Sequence, residues 1–329
     1  MAGRGAPSER RGKLTIFAIT TRILPLLLLA AVLSLLCGPH GFTIPASWIF
    51  WQLRVPRTAL ALLVGAGLGI TGAALQGGLR NPLADSGLLG IGAAASLGAV
   101  IVFYWGISTR FPPALPLGGL IGAALGLGFL FALAGGELSG LRLILAGVAL
   151  SALCSALLAL ALVLAPNPYA LAEITFWLMG GLADRSLLQA ALAAPPILLG
   201  LWVLTGTAPG LDALSLGEDT AASLGHPASR TLTTIAIGGF LIVGPATAVA
   251  GGIGFVGLVV PHLIRHFIGA RPGALLLPSA LAGAALLTLA DLATRLLPLA
   301  TEPPIGVLTA LIGAPFLVFL LRQTNNQDS

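Results

Sequence analysis

Polar residues that could carry out chemistry are few in this 329-residue chain, because only 8% of its residues are charged. One polar cluster, RNPLAD at residues 80–85, separates two apolar runs rich in Gly and Ala. Asp291 and Arg295 are four residues apart, which places them on one face of a helix. An ionisable residue within an apolar helix is a candidate for proton relay. The i,i+4 spacing favours a structural pair, and ion coupling through Asp291 and Glu302 is the alternative.

No residue pattern predicts an enzyme. A phosphate-binding loop needs Gly-x-x-x-x-Gly-Lys followed by Ser or Thr, but the single lysine, Lys13, precedes a leucine. His262 and His266 have i,i+4 spacing, for which the sequence favours a polar helix edge over a metal or haem site. Cys37 and Cys154 lie in apolar runs without metal or redox spacing. We therefore expect this chain to have no catalytic residue and to bind no metal or cofactor.

The elements that position these residues are predicted to be transmembrane helices. Hydrophobic residues make up 57% of the chain and its mean hydropathy is +1.01, whereas a soluble domain carries about 25% charged residues. A span needs about 20 apolar residues. The sequence therefore predicts an all-α polytopic membrane protein with about ten spans, near residues 15–37, 57–79, 87–107, 114–135, 142–165, 187–206, 229–250, 254–269, 275–297 and 304–322.

The basic residues predict how these spans are oriented. Of the 16 Lys and Arg residues, eleven fall on the side of the N-terminus and five on the other, which predicts that both termini are cytoplasmic. Residues 1–14 and 323–329 are then cytoplasmic tails of a single transmembrane domain, 15–322. The interrupted segment 166–186 is predicted to form a short helix on the outer side. The basic residues are scattered over several loops, so nucleic acid is not an expected partner.

The segment 208–226 is the longest polar stretch after the N-terminal tail. Leucines alternate there with acidic residues, which predicts two short amphipathic helices joined at Gly217. Such helices would turn an apolar side towards a partner or towards the spans. A plain connector is the alternative, and the length and pattern of the segment argue against it.

Five ordered blocks resemble the FecCD-type permeases, which are membrane subunits of type II ABC importers for iron chelates, haem and vitamin B12. The resemblance extends over nearly the whole chain from about residue 50. The blocks are RVPRTALALLVGAGLGITGAALQGGLRNPLADSGLLGIGAAAS (54–96), LDALSLGEDTAASLG (211–225), GFVGLVVPHLIR (254–265), ADLATR (290–295) and EPPIGVLTALIGAPFL (302–317).

The resemblance implies a ten-span subunit of the cytoplasmic (inner) membrane, with the type II ABC importer permease fold. It implies a homodimer, surrounded by lipid, whose axis holds the translocation pathway. Two cytoplasmic ATP-binding cassette subunits would hold ATP and Mg, and a periplasmic or lipid-anchored binding protein would deliver the substrate. A secondary transporter is the alternative from another class. A membrane enzyme is a third class, but the sequence shows no cluster of His, Asp and Cys for it.

The resemblance also assigns roles to particular residues. Segment 208–226 would seat on the ATPase, and basic residues at the outer surface would pair with acidic residues of the binding protein. Interfacial anchoring is the alternative role for Arg54 and Arg57. The coupling residues are Leu211, Asp212, Leu214, Leu216, Gly217, Glu218, Asp219, Leu224 and Gly225, and the docking residues are Arg54, Arg57 and Arg295.

Two cytoplasmic gates are implied as well, one at Asn81 and Leu83 and the other at Gly140 and Leu141. The second gate departs from the small polar pair expected of the B12 importer, which argues against cobalamin. We therefore expect an iron chelate, with haem ahead of a ferric siderophore, and keep cobalamin as the alternative. The residues that could touch haem also have a packing interpretation, which the sequence favours; they are Tyr104, Tyr169, Met179 and His262.

Overall fold

A computed structural model describes most of the chain. It covers residues 7–38, 41–42, 45–107, 111, 113–135, 138–165, 167–269, 271–299 and 301–325, with backbone alone for 7–18 and 319–325. Most of the described chain is helical, because long apolar runs in lipid must satisfy their backbone hydrogen bonds within the segment. A two-stranded hairpin, β1 (Cys37–Gly38) with β2 (Gly41–Phe42), follows the first helix.

The helices follow the predicted order along the chain. They are α1 (Pro7–Leu36), α2 (Ser47–Gly78), α3 (Ile91–Tyr104), α4 (Ala114–Ala134), α5 (Gly140–Val163), α6 (Pro168–Leu178), α7 (Leu187–Thr205), α8 (Ala208–Leu214), α9 (Glu218–Ser223), α10 (Ala228–Ala250), α11 (Val256–Ile268), α12 (Pro272–Leu296) and α13 (Ile305–Asn325).

The prediction of about ten spans is confirmed. Seven of the described helices are long and apolar enough to cross a membrane, and three shorter apolar helices complete the set, at Ile91–Tyr104, Val256–Ile268 and Ile305–Val318. The segment 166–186 contains α6, whose 11 residues are too few to span. Asn167 begins this helix by accepting a hydrogen bond from Ala170 N–H at 2.9 Å.

The helices extend past three of the predicted boundaries. Helix α1 begins at Pro7, within the predicted cytoplasmic tail, and α13 continues to Asn325. Helix α2 begins at Ser47, ten residues before the predicted span, and includes a π-helical turn over Phe50–Arg54. Pro56 does not interrupt this longer helix, because proline is tolerated in the first turn of the regular helix that follows the π turn.

The core is built around the close packing of α2 against α12. A Cβ atom at Gly65 would collide with the backbone of Gly283, and one at Gly69 would collide with the backbone of Ser279. Helices in lipid approach closely where small residues meet. Helix α2 is therefore largely buried between Pro56 and Gly78.

Candidate functional site

The predicted coupling segment folds as two short helices, as the sequence indicates. Helices α8 and α9 are joined through Gly217, whose φ of +109° suits glycine. Leu211 is buried in the main core and Leu214 packs with Ala221 of α9, so the apolar side of α8 faces its own protein. Leu216 and Leu224 are 65% and 58% exposed. Two large apolar side chains are thus available at the surface of the segment.

Asp212 connects the coupling segment to α12. Its Oδ1 accepts a hydrogen bond from the backbone N–H of Gly273 at 2.8 Å. Gly273 lies in the first turn of α12, where backbone N–H groups lack helical partners and the helix dipole favours a negative charge. Asp212 therefore fastens α8 to the start of α12.

Glu218 connects the same segment to the first predicted gate. Arg80 Nη2 donates to Glu218 Oε1 at 2.6 Å, and both side chains are about half exposed. Arg80 lies two residues after the end of α2 and has a φ of +50°, an uncommon value for a residue with a side chain. The ion pair therefore joins a constrained turn at the end of α2 to the first residue of α9.

The first predicted gate is a tight turn at the surface. Asn81 Oδ1 accepts a hydrogen bond from Leu83 N–H at 2.9 Å, which closes an Asx turn. Asn81 is exposed, and Leu83 is 37% exposed. The amide oxygen of Asn81 is thus occupied in holding its own turn.

The second predicted gate lies beside the first. A Cβ atom at Gly140 would be 3.4 Å from Leu79 Cδ2, and Leu141 is 67% exposed. A surface cavity of about 380 Å³ separates the start of α5 from α9, with Arg142 on one wall and Glu218 on the other. The coupling segment therefore borders both gates, whose gating role stays a prediction.

Asp85 holds the other end of the first gate loop. Its carboxylate accepts hydrogen bonds from the Ser86 side chain and from the backbone N–H groups of Ser86, Gly87 and Phe255. Burial raises the pKa of the Asp85 carboxyl, and these hydrogen bonds act against the rise. The bond to Phe255 ties the loop to the turn that precedes α11.

Four charged residues form a cluster at the opposite end of α2. Arg57 Nε donates to Asp291 Oδ1 at 2.8 Å, and Arg57 Nη2 donates to Glu302 Oε2 at 2.8 Å. Asp291 also pairs with Arg295, as the i,i+4 spacing predicts. Asp291 is 1% exposed, so the cluster joins α2 to α12 inside the protein. The charges balance, which favours a structural role for Asp291.

Two of the three predicted docking arginines are not at the surface, which corrects the sequence-based placement. Arg295 is 5% exposed, and its Nη1 donates to the Ser34 carbonyl at 2.8 Å. Arg54 is 9% exposed, and its Nη1 donates to the Leu35 carbonyl at 3.1 Å. Both guanidinium groups hold the end of α1, because helix-end carbonyls lack partners. Docking through these arginines stays a prediction.

The residues considered for haem contact are not brought together. Tyr104 donates its hydroxyl to the Leu164 carbonyl at 2.6 Å, and Tyr169 is 87% exposed. Met179 borders a cavity of about 600 Å³ beside α13. His262 packs edge-on against Phe316. Within the described part of the chain, no three His, Cys, Asp or Glu residues are placed to share a metal ion.

Sequence reasoning missed Gln76, which ties α2 to α11. Its Nε2 lies 3.3 Å from the carbonyl oxygens of Gly257 and Leu258, and its Oε1 accepts a hydrogen bond from Arg265 Nη2 at 2.9 Å. A lone amide in an apolar run was the available signal, because a buried amide needs partners.

Comparison with known proteins decides the family. The family model described as the FecCD transport family matches residues 17–323. The chain belongs to the FecCD transport family. The match covers the gate loops, the coupling segment and the charged cluster, and it confirms the resemblance inferred from the five sequence blocks.

Relatives of this FecCD family member include vitamin B12 import system permease proteins. The BtuC protein of Salmonella paratyphi A is 40% identical over 311 residues, which are 92% of this chain and 94% of that protein. BtuC of Salmonella typhi has the same identity and coverage.

A solved structure has the same fold. It is the inward-facing conformation of a metal-chelate type ABC transporter, with a TM-score of 0.83 and 33% sequence identity. The alignment covers 94% of this chain and 98% of that one. The type II ABC importer permease fold is therefore confirmed.

Proposed function

We propose that this chain is the membrane-spanning subunit of an ATP-driven importer in the cytoplasmic membrane, with both termini inside. The observation that carries this proposal is the contact between the coupling segment and the gate loop, through Glu218 and Arg80 at 2.6 Å. Such a contact suits a subunit that receives mechanical work from a separate ATPase. The absence of a Walker A lysine in the sequence agrees with this division of labour.

The substrate we propose is cobalamin. The curated relatives at 40% identity are vitamin B12 import permeases, and they support this substrate over haem. The sequence-based preference for haem has no support from the structure, because the residues considered for it are scattered. The departure at Gly140 and Leu141 from the small polar pair expected of the B12 importer concerns the predicted gate rather than a substrate contact.

The proposed mechanism is alternating access in a homodimer with two ATP-binding cassette subunits, which hold ATP and Mg. Leu216 and Leu224 provide the exposed apolar contacts for the ATPase surface. Movement of α8 and α9 then acts on the start of α12 through Asp212 and on the gate turn through Glu218. ATP shifts the equilibrium only because its subunit favours one state of these helices over the other.

The binding protein would dock at the opposite end of the molecule, close to the charged cluster. Of the arginines there, Arg57 has a partly exposed side chain, at 13%, and its Glu302 partner is 35% exposed. We therefore assign the docking contact to Arg57 first. Complementary charge at such a site sets the orientation in which the two proteins dock and the rate at which they associate.

Reconstitution tests this function. The chain is placed in proteoliposomes with its ATPase subunits and with binding protein loaded with cyanocobalamin, and uptake is measured with and without internal ATP. Uptake that requires ATP, the ATPase and residues 208–226 is expected. Uptake driven by an ion gradient without the ATPase would instead establish the secondary transporter. Uptake of haem in place of cobalamin would reverse the substrate assignment alone.

A further inference from the structure

Arg57 binds two carboxylates whose surroundings differ. Its Nε contacts Asp291, which is 1% exposed, and its Nη2 contacts Glu302, which is 35% exposed. The Nε and Nη2 atoms are neighbours on one edge of the guanidinium group, but only the partner of Nη2 is accessible to solvent. An approaching protein can therefore reach the Glu302 side of Arg57, while the Asp291 side is closed by the surrounding helices.

The two carboxylates also differ in what their loss would cost. Asp291 pairs with both Arg57 and Arg295, and removal of one member of a buried pair is strongly destabilising. A more exposed ion pair contributes little to stability. Exchange of Glu302 for another carboxylate keeps the number of ion pairs constant, so Glu302 is the replaceable partner.

We propose that Glu302 substitutes for a carboxylate of the binding protein. Glu302 neutralises Arg57 when that protein is absent. When an acidic residue of that protein docks, Glu302 releases Nη2 of Arg57, and the incoming carboxylate takes its place. This inference rests on the proposed function. Glu302 thus lowers the docking affinity, because the incoming carboxylate meets a cluster of two arginines already balanced by two acids.

Release of Glu302 would act on the start of α13, which lines the cavity that Met179 borders. Glu302 is followed by Pro303 and Pro304, and α13 begins at Ile305. The N–H of Gly306 lies 3.4 Å from the Gly180 carbonyl, and a Cβ atom at Gly306 would collide with the backbone of Met179. Two prolines leave little slack between these points. A docked protein therefore reaches the start of α13 through Glu302.

Docking affinity tests the inference. The assembled complex in nanodiscs is titrated at low salt with a binding protein isolated from the native host on cobalamin-agarose, or on hemin-agarose if the first resin retains none. Glu302→Gln should dock about fivefold more tightly than the wild type, the equivalent of one exposed ion pair. Glu302→Ala should tighten docking as well. Because alanine has no polar side chain, this variant excludes the residual contact with Arg57 that the amide of Glu302→Gln could still make.

Two controls define the result. Glu173→Gln changes an exposed glutamate on α6 that has no ion pair among the described residues, so it should leave docking unchanged. In an Arg57→Gln background, Glu302→Gln should give no gain. Melting curves of each variant check that the fold is retained.

Each outcome separates the two proposals. Equal or weaker docking by both Glu302 variants, with docking still lost in Arg57→Gln, would overturn the role of Glu302 and leave the docking surface in place. No docking by the wild type or by any variant would overturn the proposed docking function itself.

Discussion

Arg80 and Glu218 form an ion pair at 2.6 Å between the end of α2 and the start of α9. The other end of α2 carries Arg57, which pairs with Asp291 on α12. Arg57 and Arg80 are 23 residues apart, or about 35 Å along a helix. Asp212 fastens α8 to the start of α12. Helices α2 and α12 thus run between the coupling segment and the charged cluster as one packed pair.

The Arg80–Glu218 pair should matter for coupling and hardly for stability. We expect Arg80→Glu and Glu218→Arg each to lower ATP-driven uptake about tenfold. Each single variant places two equal charges opposite each other, and their repulsion moves the gate turn away from α9. The double variant should recover most of the uptake. Stability should change by less than about 1 kcal/mol, since the pair is exposed.

Proteoliposome uptake and ATP hydrolysis, measured on the same preparations, check this prediction. Arg230→Glu, at an exposed arginine in the first turn of α10, is the matched charge reversal and should leave uptake near the wild-type level. A double variant no better than the single ones would show that the ion pair does not transmit the movement.

Local patterns in the sequence predicted much of this architecture. The spans followed from apolar runs, and Asp291 with Arg295 followed from one helical turn. The contacts that join the site could not be predicted in this way. Arg80 and Glu218 are 138 residues apart, and Arg57 and Asp291 are 234 apart. Periodicity describes one element at a time and carries no information about which elements meet.

The same limit explains the misplaced arginines. The resemblance to the FecCD-type permeases implied that Arg54 and Arg295 lie at the outer surface. The structure instead uses them to satisfy the carbonyl oxygens of Ser34 and Leu35 at the end of α1. Those acceptors become visible only when the packing of α1 is known.

Substitution of Asn81 should separate the shape of the turn from the opening of the gate. Asn81→Asp keeps the oxygen that accepts from Leu83 N–H, and it should retain most uptake. Asn81→Ala loses this acceptor and should lower uptake severalfold. Asn81→Arg loses the hydrogen-bond acceptor and also enlarges the side chain. It should abolish uptake, while assembly and docking stay intact.

Uptake, co-purification of the ATPase and binding-protein retention are measured for all three variants. Unchanged uptake in Asn81→Arg would show that the loop is an ordinary turn. Loss of ATPase co-purification would instead place the defect in assembly.

Close packing of α2 against α12 should be sensitive to a single side chain. Gly65→Leu places a side chain against the backbone of Gly283 and should prevent the two helices from approaching. Gly128→Leu is the matched control, because a Cβ atom at Gly128, within α4, meets nothing within 4 Å. Detergent-extracted yield and melting temperature should fall for Gly65→Leu and stay near the wild type for Gly128→Leu.

Asp291 should be needed for stability and not for ion coupling. Asp291→Asn leaves two arginines near each other and only the Glu302 carboxylate between them, so we expect a loss of about 3 kcal/mol. The melting temperature should fall well below that of Glu302→Gln, because Glu302 is the exposed partner.

Any Asp291→Asn complex that assembles should still need ATP for uptake, and an ionophore should leave wild-type uptake unchanged. Collapse of wild-type uptake by the ionophore, with ATP present, would make Asp291 a coupling residue and contradict the structural role that its burial between Arg57 and Arg295 indicates.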